Sequence, residues 1–176
     1  MSSGLIVPRG HGRPISTGGM DITYKVTSEH AKSASSFEVL VAPGFDVGAH
    51  VHKEGEELFY ILEGELDLLS FEPSIRTQGN WQAWQSPTGE RVYRGSPGCM
   101  MFVPPGCPHA FANPSTTPAR MFFQASSFSQ ERYFEELMEI VTRGGPPDIA
   151  AIEALRGRYG IEQLTPLIPG HRHERK

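Results

Sequence analysis

The sequence predicts an all-β fold built as a sandwich or barrel, followed by short helices. Three observations point there. Between residues 20 and 126 the apolar residues come in short runs rich in Phe, Tyr, Val and Ile, the composition of strands. Gly (19) and Pro (15) are abundant for 176 residues and cut these runs at turn-like dipeptides, which argues against a helical bundle. A helical period appears only after Ser127, where Phe134, Leu137, Met138 and Val141 recur at spacings of three, four and seven.

The elements follow in order. Residues 1–19, rich in Gly, Ser, Pro and Arg without a period, read as a loose, flexible arm. Strands are expected at 22–27, 36–42, 57–62, 65–71, 91–93, 99–103, 109–112 and 120–125. Turns are expected at Pro43-Gly44, Glu63-Gly64, Pro97-Gly98 and Pro104-Pro105-Gly106. Residues 72–90, polar with two Trp, read as a long loop. Ser127 with Gln130 suggests a capping box for the first helix. A second helix is expected over 148–156, with Gly157 as its stop. The expected organisation is an arm (1–19), a barrel (20–126), a helical extension (127–165) and a tail (166–176).

Composition narrows the function. A net charge of −4 disfavours a nucleic-acid binder, which needs a basic face. No apolar run reaches the ~18 residues of a membrane helix. Two cysteines, Cys99 and Cys107, cannot form a disulfide framework and suit a reducing compartment, so a cytoplasmic location is expected.

The chemistry sits with the histidines. In a strand, residues i and i+2 face the same way, so His50 and His52 can aim two imidazoles at one point. A turn through Gly55 can return a carboxylate to that point, and Glu54, Glu56 and Glu57 are all candidates. His109 follows a stiff Pro-Pro-Gly-Cys-Pro segment and could join the group. Imidazoles with a carboxylate form a site for a divalent transition metal. An HxH pair alone is weak evidence: His171 and His173 form another on a charged tail, and His11 and His30 lie in polar loops. Cys107 lies near His109 and reads as a buried, inert thiol.

Two longer patterns are more specific. The segment Gly44-x5-His50-x-His52-x4-Glu57-x6-Gly64 resembles the first motif of the cupin superfamily. Gly98-x5-Pro104-x-Gly106-x2-His109-x3-Asn113 resembles the second. Both match without a gap and in order, which a single short motif would not do. The resemblance covers about residues 36–126. It implies a double-stranded β-helix, the jelly-roll barrel. It also implies one divalent ion (Fe, Mn, Ni, Co, Cu or Zn) held by His50, His52, Glu57 and His109. Phe59 and Ile61 share the Glu57 face, Phe111 shares the His109 face, and Met101 and Phe123 are further candidate walls of a small-molecule pocket. Glu57 is also the candidate catalytic base. A short single cupin with trailing helices is similar to quercetinase-type dioxygenases, so oxygenation of a small aromatic or enolic molecule is expected. Polyketide-cyclase cupins, which use the metal as a Lewis acid, and non-catalytic binding cupins are the alternatives. A homodimer is expected, since outer strands need cover.

Overall fold

The structure is a computed structural model that describes residues 4–143 and 146–169. Among these, eleven strands and two helices are found: β1 Arg13–Ser16, β2 Met20–Val26, β3 Ser35–Val41, β4 His50–His52, β5 Glu57–Glu63, β6 Leu66–Ser70, β7 Tyr93–Gly95, β8 Met100–Val103, β9 His109–Ala112, β10 Ala119–Ala125, α1 Ser129–Val141, α2 Ile149–Arg158 and β11 Ile161–Gln163. They form two antiparallel sheets. One runs β1-β2-β3-β10-β5-β8 and the other β11-β4-β9-β6-β7. From β3 to β6 and again from β7 to β11 successive strands alternate between the sheets, as in a jelly roll.

Strict alternation builds the larger sheet. β3 and β10 both alternate buried and half-buried residues, so each presents one apolar face to the interior. Their register sets Phe123 against Phe37 on one side and against Phe59 of β5 on the other. Phe37 and Phe59 each stack on Phe123, with centroids 5.5 and 4.8 Å apart. The α1 stripe adds Phe134, edge-on to Phe37 at 5.3 Å. Each aromatic ring buried in this row contributes about 1.5–3 kcal/mol by leaving water.

The ends of the chain correct the expected organisation. The stretch read as a loose arm contains β1, which extends the larger sheet and buries Ile15 opposite Ile22. The stretch read as a helical extension (127–165) also contains β11, which pairs Ile161 with His52 and Gln163 with His50. Ile168, placed in the tail, bridges to Asp46. Short edge strands with one apolar residue carry almost no periodic signal, and tertiary pairing decides them. The histidines of the tail, His171 and His173, lie outside the described residues.

Smaller differences have local causes. The strand expected at 91–93 lies at Tyr93–Gly95 instead, where it pairs with β6. Gly95 lets the strand pack closely there: a Cβ would meet Ile61 Cδ1 at 2.7 Å, and that side chain would have to shift. The capping box does not form, since Phe128 is the N-cap and Ser127 accepts from the Ser129 amide instead. The second helix runs through Gly157 to Arg158, and Gly160, at φ 70°, follows its end. Its start is capped by Asp148, which accepts from the Ala151 amide at 3.0 Å. Asp148→Ala is therefore expected to cost about 1 kcal/mol in urea unfolding; an unchanged midpoint would remove the cap from the account.

The polar loop between β6 and β7 contributes to the interior. It forms a 3₁₀ turn at Trp81–Ala83 that buries Trp81. The Trp81 indole donates to both oxygens of buried Asp46, and Gln82 and the Gly48 amide donate to it as well. Asp46 thereby anchors the segment that leads directly into β4. No described helix is long and apolar enough to cross a membrane.

Candidate metal centre

Three strands deliver the four expected residues to one point. β4 carries His50 and His52, β5 opens on Glu57, and β9 opens on His109. His50 and His109 are direct partners across the β4–β9 ladder. One ligand atom from each of the four lies within 4.8 Å of the others. His50, Glu57 and His109 are buried and His52 is half-buried. Glu56, the neighbouring candidate carboxylate, is exposed, and so is Glu54, because alternation along the chain turns only Glu57 inward.

The surroundings prepare these side chains as ligands. Nδ1 of His50 lies 2.8 Å from the Gly48 carbonyl, and Nδ1 of His109 lies 3.0 Å from the Cys107 carbonyl. A carbonyl accepts only, so each Nδ1 carries the proton and each Nε2 keeps a free lone pair. Glu57 Oε2 and His109 Nε2 stand 2.9 Å apart. Their alignment is not that of a hydrogen bond, and neither buried atom has another partner among the described residues. Two polar atoms left so close, and not aimed at each other, are arranged as neighbours around a common centre. Donors bound to one ion at ~2.0–2.1 Å lie at most ~4.2 Å apart. The observed spread exceeds this by a few tenths of an ångström, so the residues fit a bound ion.

Electrostatics favour the same protonation states. Burial, then the nearby His109, Arg156 and His52, hold the His50 pKa well below its ordinary value of 6.5. Burial also lowers His52; Glu57 opposes this, while His109 and Arg156 add to it. For Glu57, burial alone would raise the pKa, but His52 and His109 outweigh it and the carboxyl is held below its ordinary value of 4.5. These shifts favour neutral His50 and His52 and an ionised Glu57, the forms that bind metal. These shifts have one sign for stability. The unfolded chain takes up protons at His50 and His52 before the folded one does, so stability falls as the pH drops below 6.5. Glu57 adds to the loss below 4.5. Metal-free protein is expected to weaken progressively in urea titrations from about pH 7 to about pH 4, and His50→Gln should flatten the upper part of that curve. A flat wild-type profile would contradict it.

The cluster stands between two spaces. Outside it a groove of about 670 Å³ is bordered by His52, Glu57, Gln130 and Ile161. Inside lies a cavity of about 40 Å³. Of the expected pocket residues, Phe59, Phe111 and Phe123 line the inner cavity, together with His50, His52 and Glu57. Ile61 and Met101 do not. Both are buried in the core, Ile61 further along β5 against Gly95 and Met101 on the next strand opposite Phe59. Cys107 is half-buried beside Ser70, and burial raises its pKa, so the thiol stays protonated.

The helices supply lining residues that the sequence did not assign to the pocket: Gln130, Tyr133 and Phe134 of α1 and Arg156 of α2. Tyr133 sits four residues before Leu137 on the apolar stripe. Arg156 sits four after Ile152, and a charge on a buried stripe was the available signal.

Comparison with known proteins agrees with this geometry. An RmlC-like cupin from Shewanella frigidimarina NCIMB 400 superposes with a TM-score of 0.53 at 15% identity, over 74% of this chain and 99% of that one. The polyketide cyclase RemF from Streptomyces resistomycificus superposes with a TM-score of 0.52 at 21% identity, over 69% and 78%. A sugar phosphate isomerase of the cupin superfamily from Silicibacter pomeroyi DSS-3 gives 0.47 at 20% identity, over 62% of this chain; the match spans 60% of that protein's length. At these identities the likeness is one of fold. A search of the curated proteins finds no match. The family model described as Cupin matches residues 23–139. That span holds both ligand motifs and most strands of the two sheets, and on this match the chain belongs to the cupin family.

Proposed function

We propose that the chain is a metal-dependent enzyme acting on a small aromatic or enolic molecule, and within that class a dioxygenase. The observation that carries the reading is the convergence of His50, His52, Glu57 and His109 with two buried ligand atoms left unpaired. A divalent Fe, Mn, Ni, Co, Cu or Zn ion held there would supply a Lewis-acidic centre with open positions and, for the redox-active members, electron transfer. The protein's own residues do the rest. The Gly48 and Cys107 carbonyls fix the imidazole orientations. Ionised Glu57 is placed to take a proton from a substrate hydroxyl. Phe59, Phe111 and Phe123 make the wall of the inner cavity apolar and exclude water beside the cluster. The inner cavity admits only a few atoms, so the bulk of a larger substrate belongs in the outer groove.

The test is metal analysis of the purified protein, followed by oxygen uptake with a panel of flavonols and aromatic polyketides. Near-stoichiometric metal with substrate-dependent uptake supports the reading. Turnover without uptake would replace it with the non-redox cyclase or isomerase alternative. Metal with binding and no turnover would make the chain a binding cupin. Metal no higher than in a His52→Ala variant would overturn the site.

We also infer a homodimer. β8 is an edge strand, and Met100 and Phe102 on it and Tyr60 and Leu62 on neighbouring β5 are 40–60% exposed. Such an apolar strip beside an open edge calls for cover. Light scattering at micromolar concentration should give twice the chain mass; one chain mass would contradict it.

A further inference from the structure

We infer that Arg156 is an anion-recognition residue and that the molecule taken by this site carries a carboxylate, which enters the inner cavity and pairs with the guanidinium. The inference rests on the proposed function and names its substrate class.

Arg156 is 96% buried by its residual exposure of 4%. Its hydrogen-bond partners among the described residues are all neutral. Nε donates to the Tyr133 hydroxyl at 3.2 Å, and Nη1 donates to the Val47 carbonyl at 3.1 Å and to the Gln163 side-chain oxygen. Gln163 is held with that oxygen toward Arg156 because its own amide nitrogen donates to the Thr165 carbonyl at 2.6 Å. No described carboxylate forms an ion pair with Arg156. Asp46, a buried carboxylate one residue from Val47, is turned instead toward Trp81, Gln82 and the Gly48 amide.

A buried charge without a counter-ion costs several kcal/mol. The sequence places a glutamine, not a glutamate, where a carboxylate would cancel that charge. Nη2 takes part in none of these bonds, so its two N–H groups remain for a ligand. A carboxylate oxygen matches them, since it accepts from a charged N–H and supplies the missing counter-charge. Arg156 lines the same cavity as His50, His52 and Glu57. A molecule anchored there by its carboxylate would therefore hold its next atoms against the cluster. The cavity's size, about 40 Å³, suits one small charged group better than a ring. Arg156 also borders a pocket of about 310 Å³ shared with Phe45, Leu137 and Ile152. That pocket has none of the four cluster residues in its lining, so the test must separate the two.

The probe is acetate against its neutral isostere acetamide, titrated calorimetrically into the metal-free and the cobalt-loaded protein. Acetate should bind more tightly than acetamide by on the order of tenfold. Arg156→Gln should remove that preference, and Arg156→Lys should keep part of it. Val39→Ile adds a methylene to the inner cavity alone and should also weaken acetate binding. Equal affinities for acetate and acetamide in the wild type would overturn the inference without any variant. So would acetate binding that is lost in Arg156→Gln but untouched by Val39→Ile, since the anion would then sit in the other pocket. Acetate preference in protein that takes up no metal would leave Arg156 standing and remove the metal reading. Metal at the four donors with no acetate preference would do the reverse.

Discussion

His52→Ala is expected to strip most of the bound metal from the protein. Three donors would remain, and loss of a ligand should cost affinity by at least on the order of a hundredfold, since even an outer partner of a ligand is worth tenfold to a hundredfold. The choice of His52 over its neighbours is deliberate. His109 is fully buried, and His50 is buried at the centre of the β4–β9 pairing, so removing either risks the barrel itself. His52 is half-buried, and the backbone pairing of β4 with β11 does not depend on its ring. The measurement is metal content per chain by mass spectrometry after dialysis, with His30→Ala as the control. His30 is exposed and bonds only to Thr27. Equal metal in wild type and His52→Ala, or equal loss in His30→Ala, would defeat the four-ligand assignment.

Glu57→Gln separates two roles that one carboxylate can hold. The amide keeps the shape and a ligating oxygen but has neither charge nor basicity. If Glu57 takes the substrate proton, the variant should retain part of its metal and lose turnover by about a hundredfold or more. If it only ligates, activity per bound metal should survive. Glu56→Gln is the control, because Glu56 is exposed and its backbone amide is held by the Ser126 hydroxyl at 2.7 Å. The register supports this choice: Glu57 lies opposite Ala125 of β10 and Val103 of β8, both buried. Activity that followed Glu56 would require a slip of one residue along β5, which would turn every side chain of that strand to the other face.

The four candidate ligands were legible because they fall at the ligand positions of two patterns that resemble the cupin motifs; the residues alone left Glu54, Glu56 and Glu57 open. His50 and His52 share a face by strand period, and the glycines and prolines of the two motifs set the turns before Glu57 and His109. The long strands were legible from alternation, which in residues 35–41 and 119–125 marks them directly. What was not legible depends on contacts far apart in the chain. Nothing in Arg13-Pro14-Ile15-Ser16 or Ile161-Glu162-Gln163 announces a strand; each exists because a neighbouring edge offers hydrogen bonds. Ile61 and Met101 have the right character for a pocket wall, yet Ile61 lies two residues beyond Phe59 on β5 and Met101 lies across from Phe59 on the edge strand β8. Arg156 was passed over because a charged residue in a short helix ordinarily faces water, and only the packing of α2 over the barrel turns it inward.

The pairing of β11 with β4 bears on the order in which the site is completed during synthesis. Thr165, whose hydroxyl accepts from the Ala49 amide, lies 116 positions later in the chain, and Gln163 lies directly opposite His50. A chain emerging from the ribosome exposes His50, His52, Glu57 and His109 well before the strand that closes the outer edge of β4 exists. Segments made early fold first as units, so the barrel can form while its histidine strand is still bare on one side. Metal captured at that stage would exchange with the surrounding pool, and the last strand to arrive would set when the captured ion becomes the retained one.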